Sequence, residues 1–408
     1  MRLNRYYMKH LVIRNIGPLK DVEIELAKVN VIIGPQSSGK SCVLKIACFC
    51  TWVEKRIELS QSADEFAKDG FFIQELTRFH KLKGYFRKDS YVSYESDFLK
   101  FSYDSIKGKF IFEWKEKRWD YYRSKVSYIP AERNMVAAIP NWFDVKLYDD
   151  NIQSFMADWD RARKTCTDFV DILNLGVSYR YDEQTKKDIV KVDDEATLEL
   201  TNTSSGLQSL IPLFVHLSYI SNLHNLQNEA QSFANKQLSE SFLKTMYEGL
   251  FTDKGKVKGE PQGSYIGKDG KKQVTVTVKF DYVGPYLLPF TNQKDAEKCN
   301  EIYKRYTKTH HAEVFLEEPE NNLFPPTQVR LVDWLLKMTE GENGAGLFVA
   351  THSPYMMTAF LERELEDFRL FFEKKEGYKS TIVTATDEDV QEIYDDGIDV
   401  FYNIESYT

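Results

Sequence analysis

The pattern of apolar and polar residues predicts a buried sheet whose strands come from distant parts of the chain. Apolar runs occupy residues 29–33, 312–316 and 346–350, and each is followed at once by a glycine-rich or polar segment. Short, nearly continuous apolar runs bounded by turn residues are typical of strands that are buried on both faces. A further strand is expected at residues 125–129, which lead into Pro130.

Other segments follow helical or alternating patterns. Helices are predicted at residues 42–59, 73–80, 151–174, 226–251 and 293–307. Apolar and polar residues alternate at residues 91–114 around Lys107-Gly108, and this alternation predicts antiparallel strands. A second alternating stretch, residues 273–280, follows Asp269-Gly270, and the dipeptide predicts a hairpin turn.

The composition is that of a folded protein. The 408 residues include 54 Lys+Arg and 62 Asp+Glu, which gives a net charge of −8, and 14% of them are aromatic. No stretch of about 18 uncharged apolar residues occurs and the first ten residues carry charges, so we expect no membrane span, no signal peptide and a cytoplasmic location. The acidic balance argues against nucleic-acid binding over the whole surface.

The cysteines do not form a recognisable framework. They are odd in number and contain no CxxC pair, so we expect reduced thiols that pack in the core rather than disulfides or a zinc site. The five are Cys42, Cys48, Cys50, Cys166 and Cys299.

A glycine-rich segment, residues 34–41, follows the first apolar run; we call it the glycine loop. In a strand–loop–helix arrangement, glycines let backbone N–H groups curl around an anion, with the helix N-terminus behind them. Lys40 would reach the β- and γ-phosphates of a nucleotide, and the Ser41 hydroxyl would bind magnesium. A Gly/Ser turn without a ligand is the alternative interpretation. The candidate nucleotide-binding residues are Gly34, Pro35, Gln36, Ser37, Ser38, Gly39, Lys40, Ser41 and Cys42.

The run at residues 312–316 ends in Glu317-Glu318-Pro319-Glu320, which we call the acidic turn. A buried strand that delivers two carboxylates at its end suits a magnesium nucleotide site. Glu317 would hold the metal, and Glu318 would orient or deprotonate the attacking water. A strand that ends in a solvated acidic turn gives the same pattern, and the glycine loop favours the nucleotide site over it.

The third apolar run leads into Thr351-His352-Ser353-Pro354. An imidazole at this strand tip could hydrogen-bond a γ-phosphate and report its presence. A lone histidine is more often structural. The position of His352 after a strand of the nucleotide sheet favours the sensing role.

Together these motifs resemble those of the ABC-type ATPase superfamily, in the branch of RecF/SMC-like and OLD-family ATPases often labelled AAA-15 or AAA-21. Residues 11–19 resemble the first strand and turn of that branch, residues 317–325 its Walker B motif and D-loop, and residues 349–354 its switch histidine. The resemblance implies an α/β fold. Its ABC-type P-loop core would contain a mixed sheet, an antiparallel β-subdomain and inserted α-helical and β-hairpin segments.

The resemblance also implies a signature loop that contacts the nucleotide held by a partner subunit. Residues 203–208, Thr-Ser-Ser-Gly-Leu-Gln, match the LSGGQ pattern best and precede an apolar helix. Ser205, Gly206 and Gln208 would act in trans, because a serine hydroxyl, a glycine N–H and a helix N-terminus form an anion site. An ordinary Ser-capped helix is the alternative.

Three positions depart from the pattern of the family. Glu317 stands where most relatives have Asp, Leu207 replaces the second signature glycine, and no Q-loop glutamine is visible. In place of a Q-loop, residues 130–133 resemble the family's Pro-Ala-Glu-Arg loop. Arg133 is therefore expected to face the nucleotide or to couple an inserted arm to the site, and a surface arginine paired with Glu132 is an equal alternative.

Basic clusters interrupt the acidic chain at residues 81–88, 115–118 and 254–272, and the second is interleaved with tryptophan and tyrosine. Aromatic and basic residues together can stack bases and meet phosphates, so nucleic-acid contact stays open. Such runs are more often solvated faces. Seven of the thirteen residues from Asp387 to Asp399 are acidic and form either a solvated loop or a docking surface for a basic partner.

The leading hypothesis is a cytoplasmic ATPase with ATP and Mg²⁺ as cofactors. The resemblance implies a homodimer or higher homo-oligomer assembled head-to-tail through the ATP sites. It further implies a sensor in DNA maintenance or anti-phage defence. The 56 residues after His352 leave too little chain for an OLD-type nuclease, so we expect a separate protein effector. A nucleotide-switched scaffold with little turnover is the alternative, and a transporter ATPase subunit is less favoured.

Strands from both ends of the chain must then share one sheet. We expect a discontinuous ATPase core at residues 1–224 and 311–408, with a β-subdomain at about 85–130 and a helical arm at about 150–205. Residues 225–310 would form an insertion of helices and a β-hairpin.

Overall fold

The computed structural model describes residues 8–139, 141–144, 146, 149–192, 196–228, 233–253, 256–258, 263–266, 272–275, 277–363 and 365–396. The strands are β1 (Lys9–Ile16), β2 (Leu19–Leu26), β3 (Val29–Ile33), β4 (Phe86–Glu95), β5 (Leu99–Asp104), β6 (Lys109–Trp114), β7 (Ser124–Ile129), β8 (Val170–Asp171), β9 (Ser178–Asp182), β10 (Lys187–Lys191), β11 (Thr197–Glu199), β12 (Thr252–Asp253), β13 (Lys256–Val257), β14 (Gly263–Ile266), β15 (Lys272–Thr275), β16 (Lys279–Val283), β17 (Tyr286–Phe290), β18 (His311–Glu317), β19 (Gly346–Ala350), β20 (Phe368–Glu376) and β21 (Lys379–Thr384).

The α-helices are α1 (Lys40–Ser60), α2 (Asp64–Ala67), α3 (Phe71–Phe79), α4 (Met135–Ala138), α5 (Asn151–Arg163), α6 (Ser205–Ser221), α7 (Leu223–Asn228), α8 (Phe233–Phe251), α9 (Gln293–Thr307), α10 (Pro325–Thr339), α11 (Pro354–Leu361) and α12 (Asp387–Asp396). Short 3₁₀ helices cover Arg118–Asp120, Ala131–Asn134, Trp142–Asp144 and Leu200–Asn202.

A mixed sheet of eleven described strands organises the molecule, in the order β6-β5-β4-β1-β2-β21-β20-β3-β19-β18-β7. Strands β20, β3, β19, β18 and β7 run parallel, so the ends of the predicted apolar runs meet at one edge, which we call the carboxyl edge. The antiparallel strands predicted at residues 91–114 are found in β4–β6, and β4 pairs with β1, which makes them continuous with the parallel half. The predicted fold class, α/β with a mixed sheet, antiparallel strands and inserted segments, is confirmed.

Both faces of β3, β18 and β19 are buried, which explains why their sequences are nearly continuous apolar runs. Successive side chains of β3 alternate between two hydrophobic clusters: Val31 and Ile33 pack in one, and Ile32 in the other. Helix α1 contributes Val43, Leu44 and Ala47 to the cluster around Ile32. Helices α5, α6, α10 and α11 cover the opposite face.

The helix predicted at residues 151–174 is too long, because α5 ends at Arg163. The next residues, Thr165 to Asp168, have low helix propensity, and Leu173 and Asn174 both have positive φ (50° and 54°), which an α-helix excludes. The chain turns instead into an antiparallel sheet in the order β11-β10-β9-β8. The segment predicted as a helical arm at residues 150–205 is therefore one helix followed by a small sheet.

A third hydrophobic cluster belongs mainly to α8, α9, β16 and β17, and Phe98 and Tyr121 also pack in it. Helix α9 has the predicted bounds. The helix predicted at residues 226–251 is found as α7 and α8, and residues 229–232 between them lie outside the described part. Strands β14 and β15 pair as the predicted hairpin, whose Asp269-Gly270 turn lies outside the described residues.

No helix in the described part of the chain has both the length and the apolar composition needed to cross a bilayer.

The five cysteines are free thiols, and all but Cys166 are buried. Burial raises the pKa of Cys42 to about 12, so this thiol stays protonated at neutral pH.

Candidate functional site

The glycine loop joins the end of β3 to the start of α1 at the carboxyl edge. Gly39 is the N-cap of α1 with φ 119°, and a Cβ there would lie 2.7 Å from Leu19 Cδ2, so this position requires glycine. The Lys40 ammonium donates to Gly34 O at 2.8 Å and to Pro35 O at 2.6 Å. The lysine therefore curls back over its own loop.

Lys40 lies in a charged but largely buried environment. Burial lowers its pKa to about 8, against the raising effect of Glu373, Glu318 and Glu320. A buried ammonium is stabilised when an anion approaches it. The phosphates of a nucleotide would thus replace the carbonyl acceptors and favour the charged form of Lys40.

The other predicted residues of the glycine loop differ in exposure. Pro35, Gln36 and Ser37 form the exposed rim, whereas Ser41 is half-buried at the start of α1. Cys42 was predicted to bind nucleotide, but its side chain is 4% exposed and packs in the hydrophobic cluster beneath the loop. Only the backbone N–H of Cys42 is therefore available to contact phosphate.

The Glu317 side chain ends β18 in a buried position, 5% exposed, with the Lys45 ammonium 3.8 Å away. Its Oε1 has no hydrogen-bond partner within the described residues, and its Oε2 accepts a long bond of 3.4 Å from the Ala131 N–H. A buried carboxylate oxygen without a donor is suited to a cation. Within the described residues no group of three or more His, Cys, Asp or Glu side chains could hold a metal, and magnesium in nucleotide sites uses one or two protein oxygens besides phosphates and water. A magnesium site of that kind would take its protein oxygens from Ser41 and Glu317, and the unpartnered Oε1 of Glu317 is the observation in its favour.

Glu318 and His352 approach each other at the carboxyl edge. His352 Nε2 lies 3.5 Å from Glu318 Oε1, and both side chains are about one-third exposed, at 28% and 34%. The hydrogen bond from His352 is the main cause that lowers the pKa of Glu318, with smaller effects from Asn321 and Lys40. Glu318 is thus an ionised carboxylate, as the acceptor of a proton from water must be.

Backbone hydrogen bonds hold the tips of the parallel strands together. Glu318 N–H donates to Ala350 O at 2.8 Å, and Thr351 N–H donates to Ile32 O at 3.1 Å. The His352 N–H donates to the Glu320 carboxylate at 2.6 Å. The glycine loop, the acidic turn and the histidine segment are therefore neighbours in one network.

Arg133 is fully buried, so the alternative of a surface arginine paired with Glu132 is wrong. Its guanidinium donates to the carbonyl oxygens of Glu317 (2.9 Å), Glu318 (2.9 Å) and Pro319 (3.1 Å). Burial lowers the pKa of Arg133 to about 10, while the acidic turn raises it. Arg133 thus braces the backbone of the acidic turn.

The signature loop leads into α6, and the helix is capped by Ser204 rather than Ser205. Ser204 Oγ accepts from the Leu207 N–H at 3.4 Å. Gln208 was predicted to act in trans, but its Nε2 donates to Thr201 O (3.0 Å) and Thr203 O (3.1 Å) of its own loop. Ser205 is exposed at the first helical position.

The start of α6 packs against the segment after the acidic turn. Asn322 Nδ2 donates to Ser209 Oγ at 2.8 Å, and a Cβ at Gly206 would lie 3.0 Å from Asn322 O. The signature loop and the D-loop-like segment are therefore in direct contact within one chain.

Sequence reasoning missed two charged residues of the site. Lys45 lies one helical turn after Ser41 on α1, a spacing that places both on one face and was visible in the sequence. Glu373 lies on β20 beside the glycine loop, and its only signal in the sequence is an acid directly after the apolar pair Phe371-Phe372. Neither belongs to the glycine-loop or acidic-turn motifs.

Side-chain pairing occupies much of the aromatic basic cluster at residues 115–118. Lys115 pairs with Glu95 at 2.8 Å and Lys117 with Asp97 at 3.4 Å. The Arg118 guanidinium lies over the Trp114 and Trp119 rings, 4.0 and 4.5 Å from their centroids. The two lysines are therefore balanced by acids of the same chain, and the two tryptophan rings already contact Arg118.

Comparisons with known proteins give one family. The model of the AAA domain (AAA_23) matches residues 10–258, which is more than half of the chain. No curated protein gives a significant match.

Several solved structures are similar in shape at low sequence identity. The SMC head domain from Thermotoga maritima has 11% identity and a TM-score of 0.40, and the alignment covers 93% of this chain and 100% of that one. An SmcHead bound to the C-winged helix domain of ScpA has 10% identity and a TM-score of 0.40, over 95% and 100%. An Smc head domain with an extended coiled coil, bound to the C-terminal domain of ScpA derived from Pyrococcus furiosus, has 9% identity and a TM-score of 0.39, over 96% and 99%.

Proposed function

Since the chain belongs to the AAA domain family, we propose that it binds Mg-ATP at the glycine loop and hydrolyses it to ADP and phosphate. The observation that carries this proposal is the convergence of Lys40, Glu318 and His352 at one sheet edge. Three strands far apart in sequence deliver these groups, and backbone hydrogen bonds lock the strands together. A turn with only a structural role would not need a lysine, a glutamate and a histidine side chain at the same sheet edge.

Each group has a role in the proposed reaction. Lys40 and the loop N–H groups bind the β- and γ-phosphates, and Ser41 and Glu317 hold magnesium, which neutralises phosphate charge when bound. Glu318 accepts the proton of the attacking water. His352 hydrogen-bonds the γ-phosphate, and its contact with Glu318 keeps the two groups aligned.

We further propose that ATP joins two chains head-to-tail, with Ser205 and Gly206 of one chain facing the glycine loop of the other. Support comes from the exposure of Ser205 at a helix N-terminus, where N–H groups attract anions. The family resemblance alone supports a cytoplasmic sensor in DNA maintenance or anti-phage defence, of the AAA-15 or AAA-21 type, that acts on a separate effector.

ATP binding is tested by substituting Lys40. The Lys40→Ala protein should lose measurable Mg-ATP binding in calorimetry, because the buried phosphate-facing charge is gone, while its circular dichroism spectrum stays that of the wild type. Lys109→Ala, at an exposed position of β6, is the matched control and should bind normally. Retained affinity in Lys40→Ala would refute the glycine-loop assignment.

A further inference from the structure

A buried acid lies directly behind the glycine loop. Glu373 is 2% exposed on β20, where Phe372 pairs with Ile33 at the end of β3. A Cβ at Gly34 would lie 2.6 Å from Glu373 Cβ, and one at Gly39 would lie 3.4 Å from Glu373 Oε1. The Glu373 carboxyl also hydrogen-bonds the Ser38 hydroxyl. This one side chain therefore touches the loop near its beginning, middle and end.

The hydrogen bonds around Ser38 restrict the state of this acid. The Ser38 hydroxyl lies within hydrogen-bond distance of Pro35 O and of Glu373 Oε2, and it has only one hydrogen. A backbone carbonyl can only accept. If the hydroxyl donates to Pro35 O, the bond between Ser38 and Glu373 requires a proton on the carboxyl group.

The surroundings favour the protonated form. Burial raises the pKa of Glu373, and it outweighs the opposing effects of Ser38, Lys40, Ser380 and His352, the groups that face it. Its Oε1 has no hydrogen-bond partner within the described residues, which disfavours a full negative charge there. The Lys40 ammonium donates to the carbonyls of Gly34 and Pro35 and, at 3.4 Å, to Ser38 Oγ.

We propose that Glu373 is a positioning residue of the ATP site that, as a neutral carboxylic acid, donates to Ser38 Oγ and fixes the glycine loop in its phosphate-binding conformation. This inference rests on the proposed ATP binding. The chain from Glu373 through Ser38 to Pro35 O holds the rim of the loop while Lys40 is free to turn to phosphate. Ionisation of Glu373 would turn the Ser38 hydroxyl from Pro35 O to the carboxylate, and it would place a negative charge behind the site that receives the phosphates.

The test compares glutamine and alanine at this position by equilibrium binding of a non-hydrolysable ATP analogue with magnesium. In Glu373→Gln the amide can donate as the neutral acid does, so affinity at pH 7 should stay within about twofold of the wild type. Glu373→Ala removes the donor and should weaken binding about tenfold, the effect of one lost buried hydrogen bond.

Glu54→Gln is the matched control, since Glu54 is a buried carboxyl on α1 that accepts from the Tyr94 hydroxyl away from the loop. It should bind the analogue like the wild type. Thermal unfolding identifies a misfolded Glu373→Ala protein. In that event Ser38→Ala, which removes the same hydrogen bond from the other side, should weaken binding about tenfold. Equal binding by all variants, or Glu373→Gln binding at least tenfold more tightly at pH 7, would overturn the inference. If the wild type itself bound no analogue, the proposed function would fall as well.

Discussion

The buried guanidinium of Arg133 shows how one residue shapes the proposed catalytic turn. Glu318 has φ 41°, a left-handed conformation that costs free energy in a non-glycine residue. Arg133 donates to the carbonyls on both sides of this residue and to its own. The strained turn thus persists because a rigid, planar group of donors holds it.

Arg133→Lys should uncouple binding from turnover. Lysine keeps the charge but cannot supply the fork of donors, so two or more buried carbonyls lose their partner and Glu318 is no longer held. We expect kcat to fall at least about tenfold with a smaller change in the Kd for ATP, measured by steady-state hydrolysis and by calorimetry. Arg330→Lys, on the exposed face of α10, is the control. A parallel loss of binding and turnover would speak against a positioning role.

The sequence specifies which side chains belong to the candidate site, but not which atoms those side chains contact. The spacing of the glycine loop and the acid pair predicted Lys40, Glu317 and Glu318, because those motifs require particular residue types at particular positions. A Pro-Ala-Glu-Arg segment does not specify whether its arginine points inward, so the sequence permits two interpretations of Arg133. Glu373 could not be predicted, because its role arises only from the pairing of β20 with β3.

A buried histidine at the end of helix α3 makes the stability of the fold sensitive to acid. His80 follows the last residue of α3, is 1% exposed and packs against the rings of Phe49, Phe79 and Tyr128. Burial lowers its pKa from 6.5 to about 3. Below pH 6.5 the unfolded chain therefore binds a proton that the folded chain excludes, so stability falls as the pH falls from about 6.5 toward 3.

His80→Phe should reduce this acid sensitivity. Between pH 7 and pH 5 the free energy of unfolding of the wild type should fall by about 2 kcal/mol more than that of the variant. The value follows because pH 5 lies about 1.5 units below the pKa of a free histidine and each unit is worth about 1.4 kcal/mol. Urea unfolding at the two pH values measures the difference. His224→Phe, on α7, serves as the control and should follow the wild type. An identical decrease in both proteins would show that His80 is not buried in its neutral form.

The elements themselves were predicted unevenly. Strands β3, β18 and β19 and helices α1 and α9 follow from strong periodicity and sharp boundaries. The helix predicted at residues 151–174 is wrong beyond Arg163. The apolar pattern continues past this residue, but the residues that follow have low helix propensity, and Leu173 and Asn174 adopt left-handed conformations. Helical patterns without a stop signal overestimate helix length for this reason.

For the whole molecule, we propose a core at residues 1–224 and 311–408 and an insertion at residues 225–310. The third hydrophobic cluster supports this division, because the described part of the insertion has its own apolar core. Tyr306 of α9 donates to the buried Glu58 of α1 at 3.1 Å, so the insertion contacts the helix that begins at the glycine loop. Sequence alone could predict the insertion from the long gap between motifs, but not this contact.

The proposed head-to-tail assembly depends on an open surface at Ser205. The Glu318→Gln protein, which should retain ATP, is expected to double in mass on ATP addition in light scattering, and Ser205→Trp in the same background should stay monomeric because the bulky ring blocks the partner's phosphates. Ser221→Trp, at the exposed far end of α6, is the control and should still form the dimer. ATP-dependent dimers of the Ser205→Trp protein would exclude this surface from the interface.

ATP turnover by the Glu318→Gln protein decides whether this site is an ATPase centre. The substitution preserves the size of the side chain and removes the proton acceptor, so we predict that ATP binding stays near the wild-type level while hydrolysis falls at least about a hundredfold. Both quantities are measured on the same preparation, by calorimetry and by phosphate release. Unchanged phosphate release by Glu318→Gln would contradict the account of this site as an ATPase centre.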